Sequence, residues 1–381
     1  MPVYLDHAAT TPLCLAAKQA MGPWLSGERF GNPSGSHSFA RGASAAIEDA
    51  RDVVASCLGA KPGDVVFTSG GTEAANLAVL GRLRSCPGAL VVSAIEHDAV
   101  LNAARAAERY GLGELRTVPA GKDGLVDLDA LASSLDPSVS LVSVQLVNNE
   151  IGTVQPLGEV AGLVRRRARR AVLHTDAVQA AGWFDLARLA EGADMVSISA
   201  HKFGGPQGAG ALALRRPVHI EPLLLGGPQE RERRAGTHNV AGIVGMAAAL
   251  QEAASHREQE VARVRALRDA LVAGLLEQVP GASETAPGQD KAPGHCHLLI
   301  EGVESEALLF LLDAAGIAAS AGSACASGAI EPSHVLLAMG YSAHEAMGAL
   351  RLTLGHSSTG QDVAQALELV PQCVERLRAK Q

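Results

Sequence analysis

Residues 195–205 read MVSISAHKFGG, and this stretch carries the pattern that decides the fold. Five mostly apolar residues are followed at once by a small residue, a basic pair, one aromatic residue and a Gly-Gly turn. Such a run is typical of a buried strand that ends in a tight turn. We therefore expect a strand here whose carboxyl end presents polar side chains.

Similar apolar runs recur on both sides of this strand, and helical patterns separate several of them. The runs cover 64–68, 89–93, 141–147, 171–174 and 210–214, and the helical patterns include 71–83 and 99–110. Near-continuous Val, Ile and Leu runs joined by helices predict an α/β fold with a mostly parallel sheet, flanked by helices on both faces. In such sheets, ligands collect at the carboxyl ends of the strands.

The pattern changes near residue 240, where a long helical stretch rich in Ala, Glu and Arg runs to residue 278. A strand at 297–300, a helix at 304–315, a strand at 350–354 and a C-terminal helix are predicted after it. We interpret this region as a smaller α+β domain, which the N-terminal segment joins. The prediction is a large domain over 16–245 and a small domain over 1–15 and 246–381.

Composition and charge exclude several classes of protein. The chain has 381 residues, of which 47% are hydrophobic, so it can bury a large core. The formal charge of −8 gives no general attraction to nucleic acid or to anionic membranes. The longest apolar run, at 240–250, is shorter than the ~20 residues that span a bilayer, and the N-terminal segment has no secretion signal.

The cysteines are scattered along the chain. They stand at positions 14, 57, 86, 296, 325 and 373, without a Cys-x-x-Cys pair. This spacing argues against a disulfide framework and a structural zinc site, and it indicates a reducing, cytoplasmic compartment. His295 and His297 would share one face of a strand, but no second ligand pair accompanies them, so no metal site is predicted.

The lysines are few, and one of them has a distinctive position. Five of the six lie in polar, helix-surface or loop contexts, where a solvated amine is expected. Lys202 instead follows the strand at 195–199 and precedes a glycine turn. A lysine at a strand's carboxyl end can lose its proton and form a Schiff base with an aldehyde cofactor. The alternative is a lysine that only caps a loop.

Other predicted strand ends offer groups that such a cofactor requires. Asp176 follows the strand at 171–174 and could pair with a protonated pyridine nitrogen, and Gln179 could reach a phenolic oxygen. Residues 69–72, Ser-Gly-Gly-Thr, join a strand to a helix start and could hold a phosphate through Gly71 and Thr72. His97 opens the next helix and could stack on an aromatic ring or shuttle a proton in catalysis. Taken alone, residues 69–72 could be only a tight turn, and His97 could be an isolated histidine without a function.

The order of several motifs resembles that of the cysteine desulfurases, in the class V aminotransferase group of fold-type I pyridoxal-phosphate enzymes. The motifs are DHAATTP at 6–12, TSGGTE at 68–73, EH at 96–97, NNEIG at 148–152, HTDAVQ at 174–179, SAHK at 199–202, RAGT at 234–237, GSAC at 322–325 and LRL at 350–352. They extend over nearly the whole chain. The resemblance implies that the cofactor is pyridoxal 5'-phosphate.

The resemblance also implies a role for each candidate residue. Lys202 would be the Schiff-base lysine and later a base, and Asn149 and Arg351 would hold the substrate carboxylate. His97 would stack over the ring, Asp176 would pair with its nitrogen, and Gln179 with its phenolic oxygen. The phosphate would be bound by Thr72, Ser199 and His201 of one subunit and by Thr237 of its neighbour, which implies a homodimer.

Cys325 would carry the specific chemistry, as the acceptor of sulfur from L-cysteine. Its surroundings, AGSACASG at 321–328, lack bulky side chains, so the thiolate could reach the substrate and then face an acceptor protein. This form of the motif is that of the housekeeping type, which supplies an iron–sulfur scaffold or other sulfur-acceptor proteins. By contrast, an inert buried thiol is the expectation for Cys57 and Cys373.

Three other interpretations compete with this one. A selenocysteine lyase would use the same scaffold. Another class V transaminase would not need Cys325. A non-catalytic sulfur carrier would not need Lys202, Asp176 and His97.

Overall fold

The computed structural model describes residues 2–322 and 332–379. Its strands alternate with helices through the first half of the chain, as the sequence pattern predicts. In chain order the strands are β1 (Val3–Tyr4), β2 (Val65–Thr68), β3 (Ala89–Ser93), β4 (Leu115–Val118), β5 (Val139–Ser143), β6 (Val172–Asp176), β7 (Met195–Ser199), β8 (Gly210–Leu214), β9 (Ala282–Glu284), β10 (His295–Ile300), β11 (Ile317–Ala318) and β12 (Ala349–Thr353).

The helices vary from a single turn to one very long helix. In chain order they are α1 (Leu15–Leu25), α2 (Ser38–Leu58), α3 (Gly71–Asn76), α4 (Arg82–Ser85), α5 (Asp98–Arg109), α6 (Leu128–Ser134), α7 (Leu157–Arg167), α8 (Leu186–Leu189), α9 (Val240–Gln278), α10 (Ser305–Ala314), α11 (His334–Ala338), α12 (Ala343–Ala346) and α13 (Gly360–Arg378). None of the helices within residues 2–322 and 332–379 has an apolar stretch long enough to cross a bilayer.

The main sheet has the strand order β2-β8-β7-β6-β5-β3-β4. Strand β8 runs antiparallel to both of its neighbours, and the other neighbouring pairs are parallel. The predicted mostly parallel sheet is therefore confirmed. Because β8 lies between β2 and β7, these two strands point the same way and their carboxyl ends lie at the same edge.

Side chains from the two faces of this sheet enter different hydrophobic clusters. Val65 and Phe67 pack in one cluster, whereas Val66 between them packs in another on the opposite face. Successive side chains of a strand point to opposite faces, so a strand covered on both sides must be apolar throughout. This explains the near-continuous apolar runs in the sequence.

Some element boundaries differ from the predictions. Strand β5 ends at Ser143 rather than at residue 147, although the amides of Val144 and Leu146 still donate to carbonyls of His174 and Asp176. The predicted helix over 71–83 contains a π-helical turn at Leu77–Gly81, between α3 and α4. Side-chain periodicity over one turn is too short to distinguish a π-helical from an α-helical hydrogen-bond pattern.

The second half of the chain forms a smaller sheet with the order β12-β10-β9, and β1 pairs with β11. Helix α9 connects the two regions. Residues such as Met246 and Leu250, near its start, pack in the core of the main sheet, whereas Val264, Leu271 and Leu275 pack with the smaller sheet. We propose that the two units join within α9, close to the expected boundary at residue 245.

Candidate active site

The carboxyl ends of the main-sheet strands surround a cavity of about 470 Å³. This volume is in the range of small-molecule binding sites. Ten of the predicted site residues line it: Gly71, Thr72, His97, Asn149, Asp176, Gln179, Ser199, His201, Lys202 and Arg351. The cavity is therefore the candidate active site.

Parallel strand direction explains why residues so distant in sequence meet here. The turn with Gly71 follows β2, His97 follows β3, Asp176 ends β6, and Lys202 follows β7. The carboxyl ends of parallel strands lie at one edge of the sheet, so each of these side chains reaches the same space. Arg351 comes from the other side, in the middle of β12 of the smaller sheet.

Lys202 lies in the short turn that follows β7, and its amine faces the N-terminal segment. Its Nζ donates hydrogen bonds to the carbonyl oxygens of Ala8, at 2.6 Å, and Ala9, at 2.8 Å. Burial and the positive charge of Arg351 lower the pKa of Lys202 from 10.5 to about 8. The lysine is therefore much more easily deprotonated than a solvated one.

Asp176 is a buried carboxylate at the end of β6. Its Oδ1 accepts a hydrogen bond from the amide of Val178, at 2.9 Å. Burial raises the pKa of Asp176, although the neighbouring His97 and the amide of Val178 oppose that effect. Because burial disfavours its charge, the ionised form of Asp176 would be stabilised by a cationic group that binds in the cavity.

Gln179 and Lys202 share a hydrogen-bond acceptor. The Nε2 of Gln179 donates to the carbonyl of Ala8 at 2.8 Å, and Ala8 itself is buried. The DHAATTP segment thus forms one wall of the cavity through its backbone carbonyls. The segment is recognisable as a motif in the sequence, but its task is not, because backbone acceptors leave no signature in side-chain type.

The turn between β2 and α3 requires glycine for close packing. A Cβ on Gly71 would lie 2.8 Å from Cγ2 of Val178 and 3.3 Å from Cβ of Ser199. Without that atom, the first amides of α3 approach the cavity, and these amides have no partner within the helix. Such a helix start favours an anionic group.

His97 is the N-cap residue of α5. Its Nδ1 accepts a hydrogen bond from the amide of Ala99 at 3.0 Å, so the proton of the neutral ring is on Nε2. The side chain of His97 is exposed and lines the cavity. The exposed imidazole is thus available to a planar ligand in the cavity.

Arg351 is nearly buried and makes several hydrogen bonds. Its NH1 donates to the carbonyls of Asn149 and Gly322, both at 2.9 Å. Its NH2 donates to Oδ1 of Asp6 at 2.9 Å. The guanidinium is therefore held with its terminal nitrogens in the cavity, where a carboxylate could reach them.

Two of the predicted site residues are not among the described residues that line the cavity. Thr237 is exposed and does not line the cavity of its own chain, and its predicted role in a neighbouring subunit stays a prediction. Cys325 lies outside the described residues. The residues before it, Ala321 and Gly322, line the cavity.

One prediction about the lysines is wrong. Lys291, for which the sequence context predicts a solvated amine, is buried, and its Nζ donates to Oε1 of Glu284 and to the carbonyl of Thr285, both at 2.6 Å. Its local sequence is polar, but the loop brings Lys291 against the end of β9 and into a bridge with Thr153. Lys291 is not one of the described residues that line the cavity.

Two buried carboxylates beside the cavity were not predicted. Burial and the charge of Asp176 raise the pKa of Glu96, and its Oε1 accepts a hydrogen bond from the amide of Gln145. Glu150 is also buried, and its Oε2 accepts a bond from Oγ of Ser333 at 2.5 Å. Both lie in recognisable motifs, at 96–97 and 148–152, but nothing in their local sequence predicts burial.

Comparison with known proteins identifies the family. The model of the aminotransferase class-V family matches residues 3–366. The chain belongs to the class-V aminotransferase family. Within that family it is similar to cysteine desulfurases over nearly its whole length.

Two curated relatives illustrate this similarity. The "IscS-like cysteine desulfurase" of Mycobacterium tuberculosis is 44% identical over 384 residues, which cover 98% of this chain and 97% of the relative. "Cysteine desulfurase IscS" of Dictyoglomus turgidum is 40% identical, with 99% and 95% covered. This class-V chain is thus a member of the cysteine desulfurase group.

Solved structures agree with this placement. A structure titled "NIFS-LIKE PROTEIN" has a TM-score of 0.91 and 33% identity, and the match covers 99% of this chain and 100% of that one. A second, "SspA in complex with cysteine", has a TM-score of 0.80 and 32% identity, with 92% and 98% covered. The predicted fold-type I architecture is confirmed.

Proposed function

We propose that this protein is a pyridoxal-phosphate-dependent cysteine desulfurase, which takes sulfur from L-cysteine and leaves L-alanine and a persulfide on Cys325. The observation that carries the proposal is the meeting of Lys202, Asp176 and Arg351 in one cavity. A lysine of lowered pKa, a buried carboxylate and a guanidinium are the groups that this cofactor and an amino-acid substrate require. The similarity to cysteine desulfurases supports the same assignment.

The polar groups of the cavity fit pyridoxal phosphate. Asp176 is a buried carboxylate of raised pKa, which a protonated pyridine nitrogen would neutralise. The helix start at Gly71 and Thr72 would hold the phosphate, with Ser199 and His201 beside it. When bound, the cofactor supplies an electron-poor ring that stabilises negative charge on the substrate.

The remaining cofactor contacts concern the ring. His97 would stack on one face of it, since the side chain lines the cavity and its Nδ1 is occupied by the amide of Ala99. Gln179 would face the phenolic oxygen. Its Nε2 now donates to the carbonyl of Ala8, so this contact would require the amide to turn or to share its second hydrogen.

Lys202 would first bind the cofactor covalently and then move protons at the substrate's Cα. The lowered pKa of about 8 supports both tasks. At pH 7 it leaves about one tenth of the amine unprotonated, against less than about one thousandth at the ordinary value for lysine. The carbonyls of Ala8 and Ala9 would hold the amine near its working position.

Arg351 and Asn149 would orient the substrate by its carboxylate. The guanidinium can bind a carboxylate with two parallel hydrogen bonds, which fixes both position and direction. Its attachment to the carbonyl of Asn149 limits its movement. The substrate's sulfur would then point toward the side of the cavity at Ala321 and Gly322, where the chain leads to Cys325.

Cys325 would act as the nucleophile that accepts sulfur. Its thiolate attacks the substrate's sulfur, and a sulfur–sulfur bond forms as the carbon–sulfur bond breaks. The electron pair of the broken bond stays with the carbon fragment, which takes a proton and leaves as alanine. The enzyme keeps the added sulfur as a persulfide.

The properties of other cysteines support this choice of thiol. Burial raises the pKa of Cys57 and of Cys373, and it raises that of Cys296 to about 12. A raised pKa leaves little thiolate at neutral pH. Cys86 differs, because a hydrogen bond from Arg170 lowers its pKa. It precedes β3, however, and so lies at the opposite edge of the sheet from the cavity.

The proposal includes partners that the chain alone does not contain. Thr237 would complete the phosphate site of a second copy, which makes the functional unit a homodimer. The persulfide would pass to an iron–sulfur scaffold or to other sulfur-acceptor proteins, in a reducing, cytoplasmic compartment. The alternative within the same family is a selenocysteine lyase or another class V transaminase.

The decisive experiment replaces Cys325 with serine. Cys325→Ser should keep the cofactor's visible absorbance, and L-cysteine should still change it, because the thiol takes no part in binding either molecule. Release of alanine and sulfide should fall by roughly a thousandfold or more, since the nucleophile is lost. Peptide mapping of the wild type after one turnover should find the added sulfur on the Cys325 peptide.

Cys86→Ser is the matched control, because Cys86 is the cysteine whose pKa is lowered among those that the structure describes. It should retain the wild-type rate. A Cys325→Ser variant that releases sulfide at a near wild-type rate, or a persulfide found on Cys86, would contradict the proposed mechanism. Conversion of L-cysteine to its keto acid without sulfide release would instead favour a transaminase.

A further inference from the structure

The N-terminal segment reaches the cavity through a short run of pairing with β12. The amide of Thr353 donates to the carbonyl of Leu5 at 2.7 Å, and the amide of His7 donates to the carbonyl of Thr353 at 3.3 Å. The next amide of the segment, that of Ala8, donates to the side-chain oxygen Oγ1 of Thr353 at 2.9 Å. The hydroxyl of Thr353 thus extends the attachment to β12 by one residue.

The amide of Ala8 depends on this hydroxyl. Ala8 and Thr353 are both buried, so water cannot easily replace the bond. A buried amide that loses its acceptor costs free energy. Serine and threonine carry a hydroxyl on Cβ, where it meets this amide, whereas valine has nearly the shape of threonine and no acceptor. The side chain at position 353 therefore has a task that the backbone of β12 does not perform.

The carbonyl of Ala8 is a shared acceptor in the cavity. Nζ of Lys202 donates to it at 2.6 Å, and Nε2 of Gln179 donates to it at 2.8 Å. Nζ of Lys202 also donates to the carbonyl of Ala9 at 2.8 Å. One side of Ala8 is thus held by Thr353, and its other side receives the amine of Lys202.

The far end of the segment is tied to the turn that carries Lys202. The amide and the hydroxyl of Thr11 both donate to the carbonyl of His201, each at 2.9 Å. The amide of Gly204 donates to the hydroxyl of Thr11 at 2.8 Å. The two alanine carbonyls therefore lie between an attachment to β12 and an attachment to the lysine turn.

From this geometry we propose that Thr353 is a positioning residue for Lys202, on which it acts through Ala8. The inference rests on the proposed function, in which Lys202 binds the cofactor and Arg351 binds the substrate carboxylate. Arg351 and Thr353 are two residues apart on β12, so their side chains lie on the same face of the strand. One strand then fixes both the substrate's anchor and the acceptor of the lysine amine.

Loss of the hydroxyl should change the charge state of Lys202. A hydrogen bond to a carbonyl favours the protonated amine, because bonds from a charged donor are the stronger ones. If Ala8 is less firmly held, its bond to Lys202 weakens and the pKa of Lys202 falls below its present value of about 8. The change should therefore make the amine easier to deprotonate.

Thr353 carries no charge, so its replacement leaves every charged group around Lys202 in place. The titratable and charged groups that line the cavity with Lys202 are Asp6, His97, Asp176, His201 and Arg351. Lys202 also lines a second cavity, in which the titratable groups are Cys14, Glu252, His256, Glu260 and His356. A shift in the pKa of Lys202 would thus report the hydrogen bond and not a lost charge.

Acetylation of the cofactor-free, full-length protein over a range of pH tests the proposal. Acetic anhydride reacts with the unprotonated amine, so mass spectrometry of the Lys202 peptide gives the pKa of this residue directly. In Thr353→Val the midpoint should lie about half a pH unit or more below that of the wild type. At pH 7 the unprotonated fraction should then be roughly two to three times larger.

Two further variants separate the proposed role from a general loss of structure. Thr353→Ser keeps the hydroxyl and should keep the wild-type midpoint. Thr153→Val is the matched control, because Thr153 is also buried and its hydroxyl donates to the carbonyl of Gly124 at 3.0 Å, away from Lys202. It should leave the midpoint unchanged. If Thr353→Val folds poorly, Thr11→Val loosens the other attachment of the segment and should lower the midpoint as well.

Reconstitution with pyridoxal phosphate gives a second reading. The pH midpoint of its rate should fall in Thr353→Val by the same amount, whereas a damaged site would slow the reaction at every pH and leave the midpoint in place. An unchanged or higher midpoint in the folded variant overturns the proposal, and so does a shift as large in Thr353→Ser. Acetylation requires no cofactor, so a protein that does not bind pyridoxal phosphate at Lys202 would refute the proposed function and could still show the predicted shift.

Discussion

Arg51 and Glu230 form a buried ion pair, and its loss should have a large effect on stability. NH1 and NH2 of Arg51 each lie 2.9 Å from one oxygen of Glu230. Glu230 also accepts bonds from the amide of Phe67, at 2.8 Å, and from His238, at 2.6 Å. The side chains are 7% and 1% exposed, so neither charge can be hydrated if its partner is removed.

Two arguments give the size of the effect. Burial alone would raise the pKa of Glu230, but the hydrogen bonds of Arg51 and His238 and the charge of Arg51 lower it from 4.5 to about 2. The fall from 4.5 to about 2 corresponds to about 3–4 kcal/mol for all the groups that bond Glu230 together, at roughly 1.4 kcal/mol per pH unit. Removing one partner of a buried pair costs about 3–5 kcal/mol in general. We therefore expect Arg51→Met to lower the free energy of unfolding by about 3 kcal/mol or more.

Urea unfolding, followed by fluorescence and circular dichroism, measures the change. Arg41→Met is the matched control, because Arg41 is an exposed arginine on the same helix, α2, and should cost less than about 0.5 kcal/mol. The double variant Arg51→Met, Glu230→Leu should be more stable than the sum of the single losses predicts, because neither charge is then left unpaired.

The contribution of Glu230 should depend on pH in a defined direction. Its pKa in the folded protein is below the ordinary value of 4.5, so the stabilisation is fully present above pH 4.5 and is lost as the pH falls toward 2. The difference in stability between wild type and Glu230→Gln should therefore shrink below pH 4.5. A loss of less than about 1 kcal/mol in Arg51→Met, or strict additivity in the double variant, would refute the reasoning.

Two further predictions follow from the candidate site. Reconstitution of the cofactor-free protein with pyridoxal phosphate should become faster as the pH rises through about 8, where Lys202 loses its proton. After borohydride reduction, Lys202→Ala should yield no peptide that carries the cofactor. A label on another lysine would contradict the assignment. Sedimentation at micromolar concentration should give about twice the chain mass of 39.1 kDa. Thr237→Ala should weaken cofactor retention without dissociating the dimer. A monomer that is fully active at high dilution would exclude the shared site.

The sequence by itself determined the class of fold and most of the cavity. Buried parallel strands need apolar residues on both faces, so runs such as 89–93 and 195–199 are readable directly and match β3 and β7. Since parallel strands share one carboxyl edge, the polar residues that follow them can be grouped from their positions in the chain alone. This rule places Lys202 and Asp176 in one site, and the cavity contains both.

Only the tertiary structure decided which distant groups are paired. The Arg51–Glu230 pair joins residues 179 positions apart, and Arg351–Asp6 joins residues 345 positions apart. The stretch Glu230–Glu232 has positive φ angles of 48°, 56° and 66° without a glycine. Such a conformation costs about 1–2 kcal/mol per residue, and local sequence would not predict it.

The physical reason is the range of the interactions. Periodicity and turn residues report how a segment meets water and its immediate neighbours, which is a local property. Burial of a charge depends on what the rest of the chain brings to it, as Lys291 illustrates, since its surroundings in sequence are polar and yet the residue is buried in the loop before β10. Lys291 can be buried because Glu284 pairs with its charge. The position of Glu284 is set by strand pairing and not by the residues next to Lys291 in the sequence.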